Sequence, residues 1–182
     1  MQIRSLIASL FIVVAVPAAA EVEKFAIPSE KGAKFHWWPK LPQVVGWQHD
    51  REFSFGHSVN ALAPVGETFR EAVTVMYAKA VFKPRVPEVK SLEILIENDK
   101  KDFLKKVPGV VVQDAPALTS ADGRKVVSLT YTPGSSGNWE RVSYLEEGEF
   151  YLIFTVSSRT KKGFEASASA YESLISQYRE KP

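Results

Sequence analysis

The sequence predicts an α+β protein, a three-layer α/β/α sandwich around a mainly antiparallel sheet. Residues 150–158 are apolar on both alternating sides, so a strand there needs cover on both faces of its sheet. Helical patterns of apolar residues at about 88–107 and 161–179 are available to supply that cover. The late strands are joined by short turns, and strands joined so closely pair antiparallel. These three observations together give the predicted fold.

The first element in the chain is a predicted export signal over residues 1–20. It has a positive start at Arg4, an apolar run over 6–16, and small residues before a cleavage site preceding Glu21. The apolar run is shorter than the roughly 20 residues that a membrane-spanning helix needs. We therefore expect no stable membrane anchor after cleavage, and a periplasmic or secreted protein.

Composition narrows the functions open to the chain. Its 182 residues contain 23 Lys and Arg against 21 Asp and Glu, and no Cys. A nearly balanced charge argues against a nucleic-acid partner, which normally requires a basic excess. Without Cys there is no disulfide, no thiolate nucleophile, and no Cys ligand for zinc or an iron–sulfur cluster.

After the signal, residues 21–46 are rich in Pro and aromatic residues, and they predict an extended N-terminal arm. Residues 47–182 form the predicted sandwich domain. Its clearest early strand is 73–82, which is β-rich and ends before two prolines. The predicted helix 88–107 follows and stops at a Pro-Gly pair.

Four strands come next, at about 110–116, 124–131, 139–146 and 150–158. Asp122-Gly123 and Glu147-Gly148 are typical tight-turn pairs. The last predicted element is the helix 161–179, whose apolar stripe runs from Phe164 to Tyr178.

This order of elements resembles the Mog1/PsbP-like superfamily. The resemblance lies in the paired late strands of 139–154, which lead through Ser157-Ser158-Arg159 into a helix ending at 171–179. It covers roughly residues 47–179, and it extends to the DcrB-like periplasmic proteins and to small secreted proteobacterial proteins. The resemblance implies a sandwich fold and export, with binding or assembly more common than catalysis. It supplies no active-site residue.

A cluster of aromatic residues is the first candidate site. Trp37, Trp38 and Trp47 lie close in sequence to Phe35, Phe53 and Phe55. Such rings could form a ligand groove or a partner surface, or they could anchor the arm to the domain. Adjacent residues of an extended chain point to opposite sides, so one ring of the Trp37-Trp38 pair is the better candidate for exposure. Trp139, beside the 134–137 loop, marks a second candidate edge.

Three histidines support a different alternative, an exported metal-assisted hydrolase. His36, His49 and His57 all lie in the first third of the chain, with Asp50 and Glu52 as possible oxygen ligands. Their spacing matches no zinc signature, so we expect no bound metal or cofactor. Convergence of the histidines would favour the hydrolase, whereas scattered histidines would favour a binding protein.

A third candidate is an anion site at Ser158 and Arg159, before the last helix. Free N–H groups at a helix start can hold an anion, although helix capping alone also explains the hydroxyl groups of this segment. The sequence contains no catalytic motif. We therefore predict a non-enzymatic binding or assembly protein of the cell envelope, whose partner is an envelope protein or a small apolar ligand.

Overall fold

A seven-stranded antiparallel sheet organises the protein. The computed structural model describes residues 22–30 and 32–180, so the predicted signal 1–20 lies outside the described residues. A separate hairpin precedes the sheet and consists of β1 (Val22–Ser29) and β2 (Gly32–Pro39). The large sheet has the order β3-β4-β5-β9-β8-β7-β6. Its strands are β3 (Trp47–His49), β4 (Asn60–Pro64), β5 (Thr74–Phe82), β6 (Val111–Thr119), β7 (Lys125–Thr132), β8 (Trp139–Glu147) and β9 (Phe150–Ser158).

The helices are short. They are α1 (Arg51–His57), α2 (Leu92–Lys106), α3 (Lys161–Ala166) and α4 (Ala168–Gln177). Each of the first three begins at a capping residue: Asp50, Ser91 and Thr160 accept hydrogen bonds from free N–H groups in the first turns of α1, α2 and α3. The predicted helix 161–179 is divided at Ser167, which separates α3 from α4.

The predicted three-layer α/β/α sandwich is wrong. The fold is β-rich, with two antiparallel sheets and short helices that do not form complete outer layers. The need for cover on both faces of β9 was inferred correctly, but other parts of the chain supply much of it. Leu41 and Val44 are buried in the core beside α4, and Val22 and Trp47 pack against the same core.

The two faces of the large sheet carry different cores. On one face, Leu152, Phe154 and Val156 of β9 pack with residues of α4. On the other face, Ile153 packs with Tyr131 and Tyr144 beneath the apolar side of α2. The β8–β9 turn holds this pairing in register, with Glu147 opposite Phe150 and Gly148 at φ 51°, a conformation that favours glycine.

No helix in residues 22–30 or 32–180 has both the length and the apolar character required to span a bilayer.

Candidate functional site

Two concave surfaces lie on either side of α1, and both are candidate sites. The hairpin cleft has a volume of about 600 Å³. It is lined by Glu23, Trp38, Lys40, Leu41, Pro42, Gln43, His49, Arg51, Ser54, Phe55 and Asn60. The sheet pocket has a volume of about 300 Å³. It is lined by Phe53, His57, Val59, Phe69, Val75, Tyr77, Asn138, Glu140 and Ser157.

Asp50 fixes the wall that separates the two surfaces. Its Oδ1 accepts the Phe53 N–H at 2.9 Å, and its Oδ2 accepts the Phe69 N–H at 2.9 Å. These backbone hydrogen bonds, that of Phe69 first, hold the pKa of Asp50 below its ordinary value. Ser54 adds a second connection, because its hydroxyl donates to the Asp50 carbonyl at 2.6 Å and accepts the Ala61 N–H at 3.0 Å. The short helix is therefore attached to β4 and to the loop that contains Phe69.

The hairpin cleft has an aromatic wall. Trp38 is only 6% exposed, and its ring centroid lies 3.8 Å from that of Phe25 and 5.3 Å from that of Phe55. The Trp38 Nε1–H donates to Glu23 Oε2 at 3.3 Å, which fixes the indole orientation. Phe55 is 46% exposed, so part of its ring is available to a bound molecule.

The rim of the cleft is polar and carries an excess of positive charge. Glu23 and Lys40 form an ion pair at 3.9 Å, whereas the exposed Arg51 makes no hydrogen bond or ion pair with the described residues. The Asn60 side chain lies at the floor of the cleft and is fixed by two contacts. Its Nδ2–H donates to the Pro39 carbonyl at 2.9 Å, and its Oδ1 lies 3.0 Å from His49 Nδ1. The cleft thus combines an aromatic wall with a guanidinium group that no described residue pairs.

The sheet pocket contains a buried carboxyl group. Glu140 is 8% exposed, and its Oε1 accepts the Ser157 hydroxyl at 2.7 Å. Ser157 in turn accepts the Asn138 Nδ2–H at 2.9 Å. Oε2 of Glu140 is buried and has no hydrogen-bond partner among the described residues. Burial raises the pKa of Glu140, and the Ser157 hydrogen bond opposes that change.

Aromatic rings form the remaining wall of the sheet pocket. Phe53 stacks between His57 and Phe69, with a centroid distance of 4.0 Å to each ring. Phe69 meets Tyr77 edge to face at 6.0 Å. Burial raises the pKa of the Tyr77 hydroxyl, which therefore stays neutral at physiological pH. The pocket offers one carboxyl group surrounded by ring faces and edges.

The predicted aromatic residues occupy different surroundings. Trp37 and Trp38 lie on opposite sides of β2: Trp38 lines the hairpin cleft, while Trp37 stacks on Phe82 at 4.9 Å and beneath Arg85 at 4.3 Å. Trp47 packs against the core beside α4. Trp139 lies 6.4 Å from the Phe164 ring, away from both surfaces. Of these four residues, only Trp38 lines the hairpin cleft, and none lines the sheet pocket.

Ser158 and Arg159, the residues of the predicted anion site, make contacts within the fold. Ser158 is buried and its hydroxyl lies 2.8 Å from Thr74 Oγ1. Arg159 donates to the carbonyls of Glu71 at 2.6 Å and Ala72 at 2.5 Å. The residue that caps the following helix is Thr160. These contacts explain both residues through local structure, and an anion site here stays a prediction.

The histidines do not converge on one site. His36 stacks on Phe25 at 5.6 Å, His49 bonds Asn60 at the cleft, and His57 stacks on Phe53 in the sheet pocket. Within the described residues, no group of three His, Asp or Glu side chains could hold a metal ion.

The sequence interpretation missed the sheet pocket, although Glu140 gave a signal. It lies on β8 two residues before Val142 and four before Tyr144, so strand alternation places it on their inward face. A carboxylate at an inward position of a strand is unusual and marks a possible site. The contributions of α1 and Phe69 to the pocket could not be predicted from the sequence, because they depend on contacts between distant segments.

The chain matches no protein-family model and no curated protein sequence. The resemblance to the Mog1/PsbP-like superfamily therefore stays a prediction.

Proposed function

We propose that this chain is an exported, non-enzymatic binding protein of the cell envelope that holds a small apolar ligand in the hairpin cleft. The observation that carries the proposal is the cleft itself, about 600 Å³ in volume and walled by Trp38 and Phe55. A volume of this size lies within the range of small-molecule sites, which are mostly apolar with a few polar groups that orient the ligand.

The polar rim narrows the ligand class. Lys40 is paired with Glu23, but Arg51 has no partner among the described residues. An aromatic or aliphatic body that carries an anionic group would pack on the Trp38 wall and satisfy the guanidinium of Arg51. An apolar acid therefore fits the cleft better than an apolar cation.

The positions of the histidines favour binding over the alternative of a metal-assisted hydrolase. His49 is engaged with Asn60 at the cleft, and His57 is stacked in the other pocket. The hydrolase requires these two imidazoles and a carboxylate to share one ion. Because the two histidines lie in different cavities, no observation supports the hydrolase alternative.

The cleft can be tested with anilinonaphthalene sulfonate, a fluorescent molecule with an aromatic body and one anionic group. We expect saturable binding by the folded protein, with about tenfold weaker affinity in Phe55→Ser because an aromatic anchor is lost. The matched control is Val65→Ser, which changes an apolar residue that is 66% exposed and lies outside the cleft. Equal affinities for the two variants would contradict the assignment of the ligand to the cleft.

Export is tested separately by sequencing the N-terminus of the mature protein from the producing cells. Cleavage of the predicted signal should give a chain that begins at Glu21 and is recovered outside the cytoplasm. Recovery of a cytoplasmic chain that retains Met1 would contradict export while leaving the cleft experiment unaffected.

A further inference from the structure

We propose that the sheet pocket is a second binding site, separate from the hairpin cleft, and that it takes a small primary ammonium compound with a short apolar body. The ammonium group would bind Oε2 of Glu140, and the apolar body would lie against Phe53, Phe69 and Tyr77. This site is independent of the function proposed above.

The first step of the argument is the hydrogen bonding of Glu140. Two hydrogen bonds lead to this carboxyl group: Asn138 Nδ2–H donates to the Ser157 hydroxyl, and that hydroxyl donates to Glu140 Oε1. Oε1 is thereby satisfied as an acceptor, while Oε2 is buried and has no hydrogen-bond partner in the part of the chain that the structure describes. A buried polar atom without a partner lowers stability, and the loss is larger for a charged group. A ligand that donates a hydrogen bond to Oε2 would remove that loss.

The second step concerns charge. No described residue forms an ion pair with Glu140, although Lys79 lies near enough to act on it electrostatically. The other charged group that acts on it is Asp99, whose negative charge adds to that of the carboxylate. The pocket therefore favours a cation over a neutral donor, and it disfavours an anion.

The third step is the wall. Phe53 and Phe69 stack on each other, and Tyr77 meets Phe69 edge to face. Because Phe53 is covered on both faces by His57 and Phe69, this wall offers apolar area and ring edges to the carbon body of a ligand, while Glu140 supplies the attraction for its ammonium group. With a volume of about 300 Å³, the pocket suits a compound with one ring or a short aliphatic chain.

The probe for this site is phenethylammonium, compared with phenethyl alcohol and phenylacetate. These three have the same ring and nearly the same length, but they differ in the charge at the end. Calorimetric titration of the mature protein should show binding of phenethylammonium at least tenfold tighter than that of the alcohol. We expect no saturable binding of phenylacetate at this pocket. Equal affinities for the ammonium and the alcohol would overturn the proposal.

Glu140→Gln is the decisive variant, because it removes the charge but keeps the shape. It should weaken phenethylammonium binding at least tenfold and leave the affinity for the alcohol unchanged. Its matched control is Glu149→Gln, which alters an exposed carboxylate at the β8–β9 turn and should bind as the unmodified protein does. Unchanged ammonium affinity in Glu140→Gln would overturn the proposal.

Phe53→Leu gives a second test that leaves the carboxyl group intact. It keeps an apolar side chain but removes the ring against which the body of both compounds packs, so ammonium and alcohol binding should weaken by a similar factor, about two- to fivefold. Phe55→Ser at the hairpin cleft should leave ammonium binding unchanged, so failure of one site is distinguishable from failure of the other. Loss of ammonium binding in Phe55→Ser would place the compound in the cleft and overturn the proposal.

Discussion

The two faces of the large sheet differ in what they bury. The face beneath α4 carries Leu152, Phe154 and Val156 of β9, all apolar and fully enclosed. The opposite face carries Ile153 in a second apolar core, but also Thr155 and Ser157 on the same strand, beside Glu140 on β8. One strand thus contributes to an apolar core on one side and to a polar pocket on the other. Apolar packing provides most of the free energy of unfolding, whereas burial of polar groups lowers it.

The polar face continues beyond the pocket towards α2. Tyr144 donates to Asp99 Oδ2 at 2.6 Å, and its hydroxyl lies 3.2 Å from that of Tyr131. Burial raises the pKa of Tyr131 to about 12. In contrast to Glu140, these groups satisfy one another through hydrogen bonds. This difference is the reason for placing the proposed ammonium group at Glu140 Oε2 on this face.

The largest expected effect is on the apolar face. Phe154 is fully buried, and its ring meets Tyr178 edge to face at 5.0 Å. Phe154→Ala should lower the free energy of unfolding by about 3–5 kcal/mol, through lost burial and the cavity left behind. The test is unfolding in urea. The midpoint concentration should fall, while the slope of the unfolding free energy against urea concentration should stay unchanged. Val111→Ala, at a residue that is 52% exposed at the start of β6, is the control and should change little. A small loss for Phe154→Ala would show that this face does not dominate stability.

The late strands could be predicted from the sequence because their signals are local. The predicted strands 139–146 and 150–158 agree closely with β8 and β9, since the alternation and the turn both lie within a short segment. The early part of the chain was not predictable in this way. The hairpin Val22–Pro39 lacks clear alternation, and α1 has only seven residues, too few for a helical period to be visible.

The second prediction compares the adjacent residues Trp37 and Trp38. Trp38→Ala should cost about 3 kcal/mol, near the lower end of large-to-small core changes, because the cleft beside it is already open. Trp37→Ala should cost about 1 kcal/mol, from the lost stacking on Phe82 and Arg85 at a half-buried position. Thermal melts of both variants provide the test. Equal losses would contradict the different roles of the two sides of β2.

The candidate sites were less predictable than the strands, for a physical reason. The sequence identified Trp38 through its aromatic neighbours but gave no reason to connect it with Arg51, which reaches the cleft through α1. Likewise, Glu140 and Phe53 line one pocket only because the fold brings α1 close to residues of β5, β8 and β9. Long-range packing creates both cavities, so local patterns name some of their residues but not the sites.

The smallest expected effect concerns the stability cost of Glu140. Burial raises its folded pKa above the ordinary value of 4.5, so the folded protein binds a proton more tightly there than the unfolded chain does. Its contribution to stability is therefore fully present below about pH 4.5 and is lost as the pH rises through the folded pKa. Among the described residues, the charged or titratable groups around the site are Lys79, Asp99, His57, Tyr77 and Tyr131, and none of them forms an ion pair or hydrogen bond with the carboxyl group.

Glu140→Gln removes this titration and keeps the shape of the side chain. At about pH 7 we expect the variant to be more stable than the unmodified protein by about 1 kcal/mol, because a buried charge without a partner has been replaced by a neutral amide. At about pH 4 the difference should disappear, because the carboxyl group is then protonated in both states. Urea unfolding at both pH values measures the change, and Glu149→Gln, at an exposed carboxylate, corrects for general charge effects. If Glu140→Gln is instead less stable at about pH 7 and equally so at about pH 4, Glu140 stabilises the sheet through its hydrogen bonds. The polar face would then serve the fold in the same way as the apolar one.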